Sequence, residues 1–557
     1  MTRLSGILLF LLFTIFLRDC NDMQARNYYL SNAGNDNANG LSPESAWKSI
    51  AKLNKTSFSP GDSILFEAEG IWRETLVVKN SGKTGRNIVY SRYGNGKNPR
   101  IVGSEPADQW TRINGSVWKS GSSLDNPRDY YSGSLFIIQN DSVSWGTYKD
   151  PDASLSGLVD DLDWTYMNNA LYLRSKRDPN TSFEAIELNQ RKDCVIFPDN
   201  QPQNFIAFDG VDLLFARQTG FNAGYPAYRG ATDLVFMNCT IGYIGTRGSG
   251  YAYGIAAWHS NFLVENCTIT DCGRRGISIN LYKEMPAGMS RTIRNVTIRN
   301  NVFRRGYHTT SLDLSSQQTK SDTIEGVYFY NNFVDDSQLE NVERHWVSNQ
   351  VFTQSGASYL NEIFIYNNIF IHATGRNILI EGGDSVFIWH NTIYGHNPNL
   401  PDHPYSNVGL NYVLKVDYRN NILVDDLPRN NIQNHGLMMY YNESSYIAKD
   451  YNLYFSFNPG PERNITAGIN DLGHMGYTNS TKQGWDGYLF YNKKFDQHSP
   501  FPSDPLFKNP PYDFHLTEES PARNAGVKIE NISSDFYGNP MNIPPDLGAV
   551  QFRDISE

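Results

Sequence analysis

Cysteine is scarce. The 557 residues include five, and four of them, Cys194, Cys239, Cys267 and Cys272, lie beyond the first 25 positions. That is too few for a disulfide scaffold, and the spacing is not that of a metal-binding quartet. Charge is thin as well, at 19% of residues, and it leans acidic: 48 Lys and Arg against 58 Asp and Glu give a net charge of -10. Duplex nucleic acid is bound by neutralising phosphates, so no nucleic-acid partner is expected. One apolar run stands at the N-terminus and no other follows, and the mean hydropathy is -0.49. A polytopic integral membrane protein is therefore excluded. With 39% hydrophobic residues, 45 Gly and 34 Tyr, the chain is rich enough to bury a large core, which excludes disorder.

The apolar run follows Arg3 and extends from Leu4 to Leu17, the form of a secretory leader. Export is expected, to a periplasmic, extracellular or lipid-anchored surface location. Cleavage at Met23-Gln24-Ala25 would start the mature chain at Arg26, and Cys20 is the alternative, lipidated start.

What the sequence has in quantity is a repeat: an apolar strand, a polar turn residue, then a second short apolar strand. Its copies are Leu234 to Ile241 (LVFMNCTI), Phe262 to Ile269 (FLVENCTI), Val296 to Phe303 (VTIRNNVF) and Val327 to Val334 (VYFYNNFV). Ile363 to Phe370 (IFIYNNIF), Val386 to Ile393 (VFIWHNTI) and Lys415 to Leu423 (KVDYRNNIL) follow. Aligned on the turn, they place Asn238, Asn266, Asn300, Asn331, Asn367, His390 and Asn420 at intervals of 28, 34, 31, 36, 23 and 30 residues. Units this short, with a fixed corner and variable insertions, describe a parallel β-helix whose coils stack on one another. Asn side chains at the corner are expected to hydrogen-bond from coil to coil. An antiparallel sandwich would need Asn-Gly or Asp-Gly hairpin turns between these strands, and they are missing. Cys239 and Cys267 fall one coil apart in one column, as stacked buried thiols.

The two ends add a resemblance. Tyr28 to Lys52 (YYLSNAGNDNANGLSPESAWKSIAK), Gly61 to Arg73 (GDSILFEAEGIWR), Asp504 to Phe507 (DPLF), Phe514 to Gly526 (FHLTEESPARNAG) and Pro545 to Ala549 (PDLGA) accompany the Asn coils. Together they resemble the right-handed parallel β-helix proteins of the pectate-lyase-like superfamily, many of them secreted polysaccharide-degrading enzymes. The resemblance implies an all-β, right-handed, single-stranded parallel β-helix with a small inserted β-subdomain. The organisation expected is a leader over 1–25, N-terminal coils and cap over 26–107, and the insertion over 108–202. The central helix carrying the site follows over 203–460, then C-terminal coils and cap over 461–557.

The strands after the Asn corner change from structural to reactive chemistry. Gly273 to Asn280 (GRRGISIN), Gly306 to Asp313 (GYHTTSLD) and Gly375 to Glu381 (GRNILIE) put Asn280, Asp313 and Glu381 at 14, 13 and 14 residues past their corners. They are expected on one face, with Gln354 in the intervening coil and Trp258 beyond Asn280. Asp313 and Glu381 would then stand two coils apart, about 10 Å at the backbone. Paired carboxylates serve glycoside hydrolysis, and a gap with room for water favours inversion. Glu381 and Asp313 are accordingly the expected catalytic pair. Asn377 to Ile393 (NILIEGGDSVFIWHNTI) is similar to the segment of β-helical β-xylosidases whose Glu is the general acid. That family carries its nucleophilic Asp one coil earlier, where this chain has Gln354.

A second column, Arg275, His308 and Arg376, runs five residues before the first. Cations beside a groove suit an anionic sugar, and Arg or His can act as the base of a β-elimination. A polysaccharide lyase is thus the alternative, and a non-catalytic glycan-binding protein the third reading. His345 and Trp346, on an insertion after Asp335, complete the substrate-binding set, with Trp258, Tyr282 and Tyr307 as further aromatics. No run of Asp suggests a calcium site, so no cofactor is expected and calcium stays open. The expected partner is a polysaccharide or oligosaccharide, and the expected state a monomer.

Overall fold

The computed structural model describes residues 24–554 apart from 128–132, 153, 199–200, 202, 225–230, 248–250, 281–291, 317–322, 337–348, 356–358, 397–406, 426–436, 442–445, 458–465, 471–474, 479–481 and 492. Each coil of the central region contributes three strands, and each strand pairs in parallel with its counterpart one coil away. The first face stacks Asp193–Ile196, Thr219–Asn222, Tyr253–Ala256, Arg275–Asn280, Thr309–Ser316 and Asn349–Ser355, then the long strands Ile378–Trp389 and Val408–Arg419. The second face runs through Ala231–Met237, His259–Glu265, Thr292–Arg299, Thr323–Tyr330 and Tyr359–Tyr366. The third runs through Thr240–Ile244, Thr268–Cys272, Val302–Arg304, Phe333–Asp335 and Ile369–Ala373. This is a parallel β-helix. The parallel pairing of these strands rules out an antiparallel sandwich.

Left-handed residues mark the corners at intervals of five. Asp233, Asn238 and Tyr243 have positive φ, as do Asn261, Asn266 and Asp271 one coil on, and Asn295, Asn300 and Arg305 after that. Asn tolerates this conformation better than other non-Gly residues, which is why it recurs there. Corner side chains bond from coil to coil only in places, such as Asn238 to Asp209 and Asn420 to His390 at 2.7 and 2.8 Å, and the continuous ladder belongs to the next residue. Asn301, Asn332, Asn368, Asn391, Asn421 and Asn452 are buried, and the Asn301, Asn332, Asn368, Asn391 and Asn421 backbone and side-chain N–H groups all donate to the Oδ1 of the next Asn in line, at 2.9–3.1 Å. The reason is direction: the corner residue's side chain leaves the coil, and the following one turns back into it. Cys239 and Cys267 sit at the head of this inner column as buried free thiols. Cys267 N–H donates to Asn301 Oδ1 at 2.8 Å.

Inside, apolar columns such as Phe208, Phe236, Val264, Ile298 and Phe329 fill the coil. Each buried side chain of this size contributes roughly 1.5–3 kcal/mol. Ile50–Lys55 covers the N-terminal end, burying Ile50 and Leu53, and Lys482–Tyr491 covers the other with Trp485 and Tyr488.

The inserted β-subdomain, from Ser104–Pro106 to Ala185–Asn189, is antiparallel but for the parallel pair of Thr147–Tyr148 with Asp163–Met167, and has its own core around Trp110, Trp164, Tyr166 and Leu188. Phe136 packs on Phe215 at 5.0 Å between ring centres, and Arg247 lies over both Trp145 of the insertion and Tyr307 of a coil, at 5.3 and 5.6 Å. The insertion therefore stands beside the corner between the third and first faces.

Phe495 still pairs in parallel with Lys449, but residues 500–554 do not stack as coils. They run back along the outside, where Asn367 and Asn420 side chains donate to the carbonyls of Ser534 and Val527 at 2.7 and 2.6 Å. Phe514, Leu516, Leu547 and Ala549 bury there against Ile369, Ile371, Ile422 and Leu453. Among the described residues no helix is long and apolar enough to cross a membrane.

Candidate functional site

The first face sorts its residues by register. Ile277, Leu312, Val351, Ile378 and Val408 form one inward column, and Ile279, Leu314, Thr353, Ile380 and Leu410 a second; all are buried. Side chains alternate along a strand, so the positions between these columns face outward. By backbone register Asn280, Ser315, Gln354, Glu381 and Asn411 share one position, outward at Glu381, and Ser278, Asp313, Phe352, Leu379 and Gly409 share the one two residues before it.

Asp313 was expected in the column of Glu381, and the structure corrects this. Asp313 is two positions short of that column: its spacing of 13 from the corner, against 14 for Asn280 and Glu381, accounts for one, and an extra residue between Thr309 and Leu312 for the other, so that Ser315 takes the column. By register Asp313 and Glu381 are two coils and two residues apart, about 12 Å between backbones at about 4.8 Å per coil and about 3.3 Å per residue.

Asp313 was also expected to line an open groove, and it is fully buried. Arg275 Nε donates to Asp313 Oδ2 at 2.5 Å, and the two side chains are 2% and 0% exposed. Thr309 Oγ1 donates to the same oxygen at 3.3 Å, and His308 Nδ1 lies 3.0 Å from Thr309 Oγ1. Arg275 also donates to Tyr253 Oη at 3.3 Å and lies over its ring. The structure thus joins Arg275, His308 and Asp313 in one cluster. Burial, with Arg275 beside it, pulls the His308 ring down to about 4, so it is neutral at pH 7.

The expected cationic column is shifted in part: Arg275 pairs with Thr309, and His308 falls one residue earlier. The extra residue lies after Thr309, so what displaces His308 is its own place in the strand. Arg376 is half-buried, its N–H donates to Asn349 Oδ1 at 3.1 Å, and its aliphatic part packs over Gly409.

Glu381 is half-buried and faces outward, with Ile380 behind it in the core, and its N–H donates to Thr353 Oγ1 at 3.1 Å. Gln354 pairs with Glu381 and Asn280 with Ser315 at the backbone. Trp258 is half-buried and packs against the main core. His345, Trp346 and Tyr282 lie outside the described residues. Among the described residues no three His, Cys, Asp or Glu side chains converge as a metal site.

Sequence reasoning missed Tyr253 and Thr309, the residues that tie the cluster together. Tyr253 stands in the register column of Arg275, so a coil alignment carried one unit further back would have found it.

No protein-family model matches the chain, and no curated protein sequence does. Among solved structures it is similar to XylC in complex with xylose, at 13% identity over 95% of this chain and 98% of that one, with a TM-score of 0.50. A structure described as a glycoside hydrolase is 11% identical over 80% of this chain and 96% of that one, with a TM-score of 0.44. For the pectate lyase Pel9A the identity is 16% over 95% and 97%, with a TM-score of 0.43. At such identities, the likeness to XylC is one of fold.

Proposed function

We propose that the protein is a carbohydrate-active enzyme that lays a polysaccharide or oligosaccharide across the first face and hydrolyses it. The observation that carries this reading is the outward row with Glu381 in it. A half-buried carboxyl stands on a rigid strand, with the amide positions of Gln354 and Asn411 on the coils either side. Amides and carboxyls together offer the donors and acceptors that sugar hydroxyls need. In this reading Glu381 exchanges a proton with the glycosidic oxygen. Asp313, paired with Arg275, is the anionic partner. Asp313 is fully buried against Arg275, so it acts on the site through that guanidinium and not by activating a water itself. The leader-like run, which lies outside the described residues, would deliver the enzyme beyond the cytoplasm.

A second reading is favoured by His308. A neutral imidazole beside Arg275 is the equipment of a base that takes the proton next to a uronate carboxylate. Product analysis on a panel of plant and bacterial polysaccharides separates the two. Hydrolysis yields new reducing ends with no added ultraviolet absorbance, whereas elimination yields the absorbing unsaturated uronate. Under the first reading Glu381→Gln lowers kcat on the order of 10²-fold or more without moving the melting temperature. Near wild-type turnover in Glu381→Gln, together with loss in His308→Gln, would transfer the assignment to elimination.

A further inference from the structure

Strand Thr309–Ser316 carries one residue more than the strands beside it. Arg275 pairs with Thr309 and Ile277 with Leu312 on one side, and Thr309 pairs with Asn349 and Leu312 with Val351 on the other. The surplus is a bulge over Thr310 and Ser311. A one-residue shift turns every later side chain to the opposite face. With the bulge, Leu312 and Leu314 fall in line with Ile277 and Ile279 in the core, and Asp313 faces outward. Without it, Asp313 would stand opposite Ile279 inside the coil.

The bulge is held from within. Thr310 Oγ1 donates to the two oxygens of Asp336 at 3.0 and 2.8 Å. Gln350 Nε2 donates to Asp336 Oδ2 at 3.3 Å and to the Ile371 carbonyl at 2.6 Å, and the Ser311 hydroxyl donates to the Gln350 carbonyl. Asp336, Thr310, Ser311 and Gln350 are all buried. Two glycines make room: a Cβ at Gly276 would stand 2.3 Å from the Thr310 carbonyl oxygen, and one at Gly306 2.4 Å from Thr310 Cα. Burying a carboxyl opposes folding, and the partners of this one include the bulge and the side chain of Gln350.

We infer that Asp336 is a positioning residue: from inside the coil it fixes the Thr310–Ser311 bulge, and the bulge fixes Asp313 outward against Arg275 and Thr309. The effect on turnover rests on the first face being the active one; the placement of Asp313 does not. Burial raises Asp336 to about 8, against the bonds from Thr310 and Gln350, and with Asp335 beside it adding to the rise. The other charged or titratable groups nearby are Arg305 on the preceding coil, ion-paired to Asp271, and His372 on the following coil, 3.9 Å from Asp335. Asp336 is therefore protonated at pH 7. The native state keeps a proton that the unfolded chain releases near the ordinary 3.8 of an Asp carboxyl, so this group weakens the fold as pH rises from there to about 8 and has no further effect above.

The full chain, Asp336→Asn and Asp336→Leu are compared by thermal unfolding against pH and by NMR titration of the His308 ring, assigned by its loss in His308→Gln. Asp336→Asn, uncharged throughout, should gain melting temperature over the parent progressively between pH 4 and pH 8 and leave His308 where it is. Asp336→Leu should release the bulge, move His308 up towards its ordinary value, and lower kcat by about tenfold or more with KM little changed. An unchanged His308 titration in a folded Asp336→Leu overturns the inference. If that variant does not fold, Thr310→Val, which removes only the bulge hydroxyl, is read in the same way. Absence of turnover by the parent chain on every glycan would overturn the glycan-cleaving reading alone, because the NMR and melting measurements still decide the role of Asp336.

Discussion

Arg275 and Asp313, 38 residues apart in sequence, bury opposite charges against each other on the outward side of a sheet. Removing one charge from such a pair strands the other in a site closed to water. Asp313→Asn should therefore cost about 3–5 kcal/mol of stability, read as a shift of the urea midpoint, besides any loss of turnover. Glu381→Gln, at a half-buried site, should leave the midpoint in place. The same two residues show what spacing along the chain can carry. The position of Glu381 was legible because its coil has no irregularity between the corner and the strand. That of Asp313 slipped by two, one from its shorter spacing to the corner and one because an extra residue is visible only against its partners, although the pattern Leu312-Asp313-Leu314 already fixed which way Asp313 must face. The ion pair itself was illegible, since a coil alignment sets registers and not which side chains lean together.

At the level of the coil, the pair Asn367 and Asn368 separates two jobs that the sequence writes as a single Asn-Asn motif. Asn367 takes the left-handed corner with φ 52°. Asn368 makes four side-chain bonds: its Oδ1 accepts from the Asn332 backbone and side chain, and its Nδ2 donates to the Phe329 carbonyl and to Asn391 Oδ1. Asn367→Ala should cost about 1–2 kcal/mol through backbone strain and about 1 kcal/mol more for its lost bond to the Ser534 carbonyl. Asn368→Ala leaves several buried groups without partners at about 1–3 kcal/mol each, so its urea midpoint should fall well below that of Asn367→Ala. The corner could be read from the repeat because Asn is one of few residues that tolerate it. The ladder could not be told from it, because neighbouring Asn residues look alike until the direction of each side chain is known.

Across the whole molecule, a stack of coils should behave as a one-dimensional system in which each unit feels only its neighbours. The segment from 500 to 554 changes that, since it contacts the coils of Asn367, Thr392 and Asn420 together. Pro500, Pro502, Pro505, Pro510 and Pro511 explain why it is no coil: proline has no N–H for a ladder. Leu547 is fully buried in this strap, and Leu547→Ala should cost about 2–5 kcal/mol. Calorimetry should then show the coils under the strap melting ahead of the N-terminal ones, as two transitions in place of one. The four described cysteines have a different consequence. All are buried, and burial pushes the thiols of Cys194, Cys239 and Cys272 well above their ordinary range, so they are poor targets for alkylating reagents. With Cys20 changed to Ser, Asn411→Cys would give a single accessible thiol beside Glu381, where a maleimide dye could report by its colour and brightness the arrival of a sugar chain on the sheet.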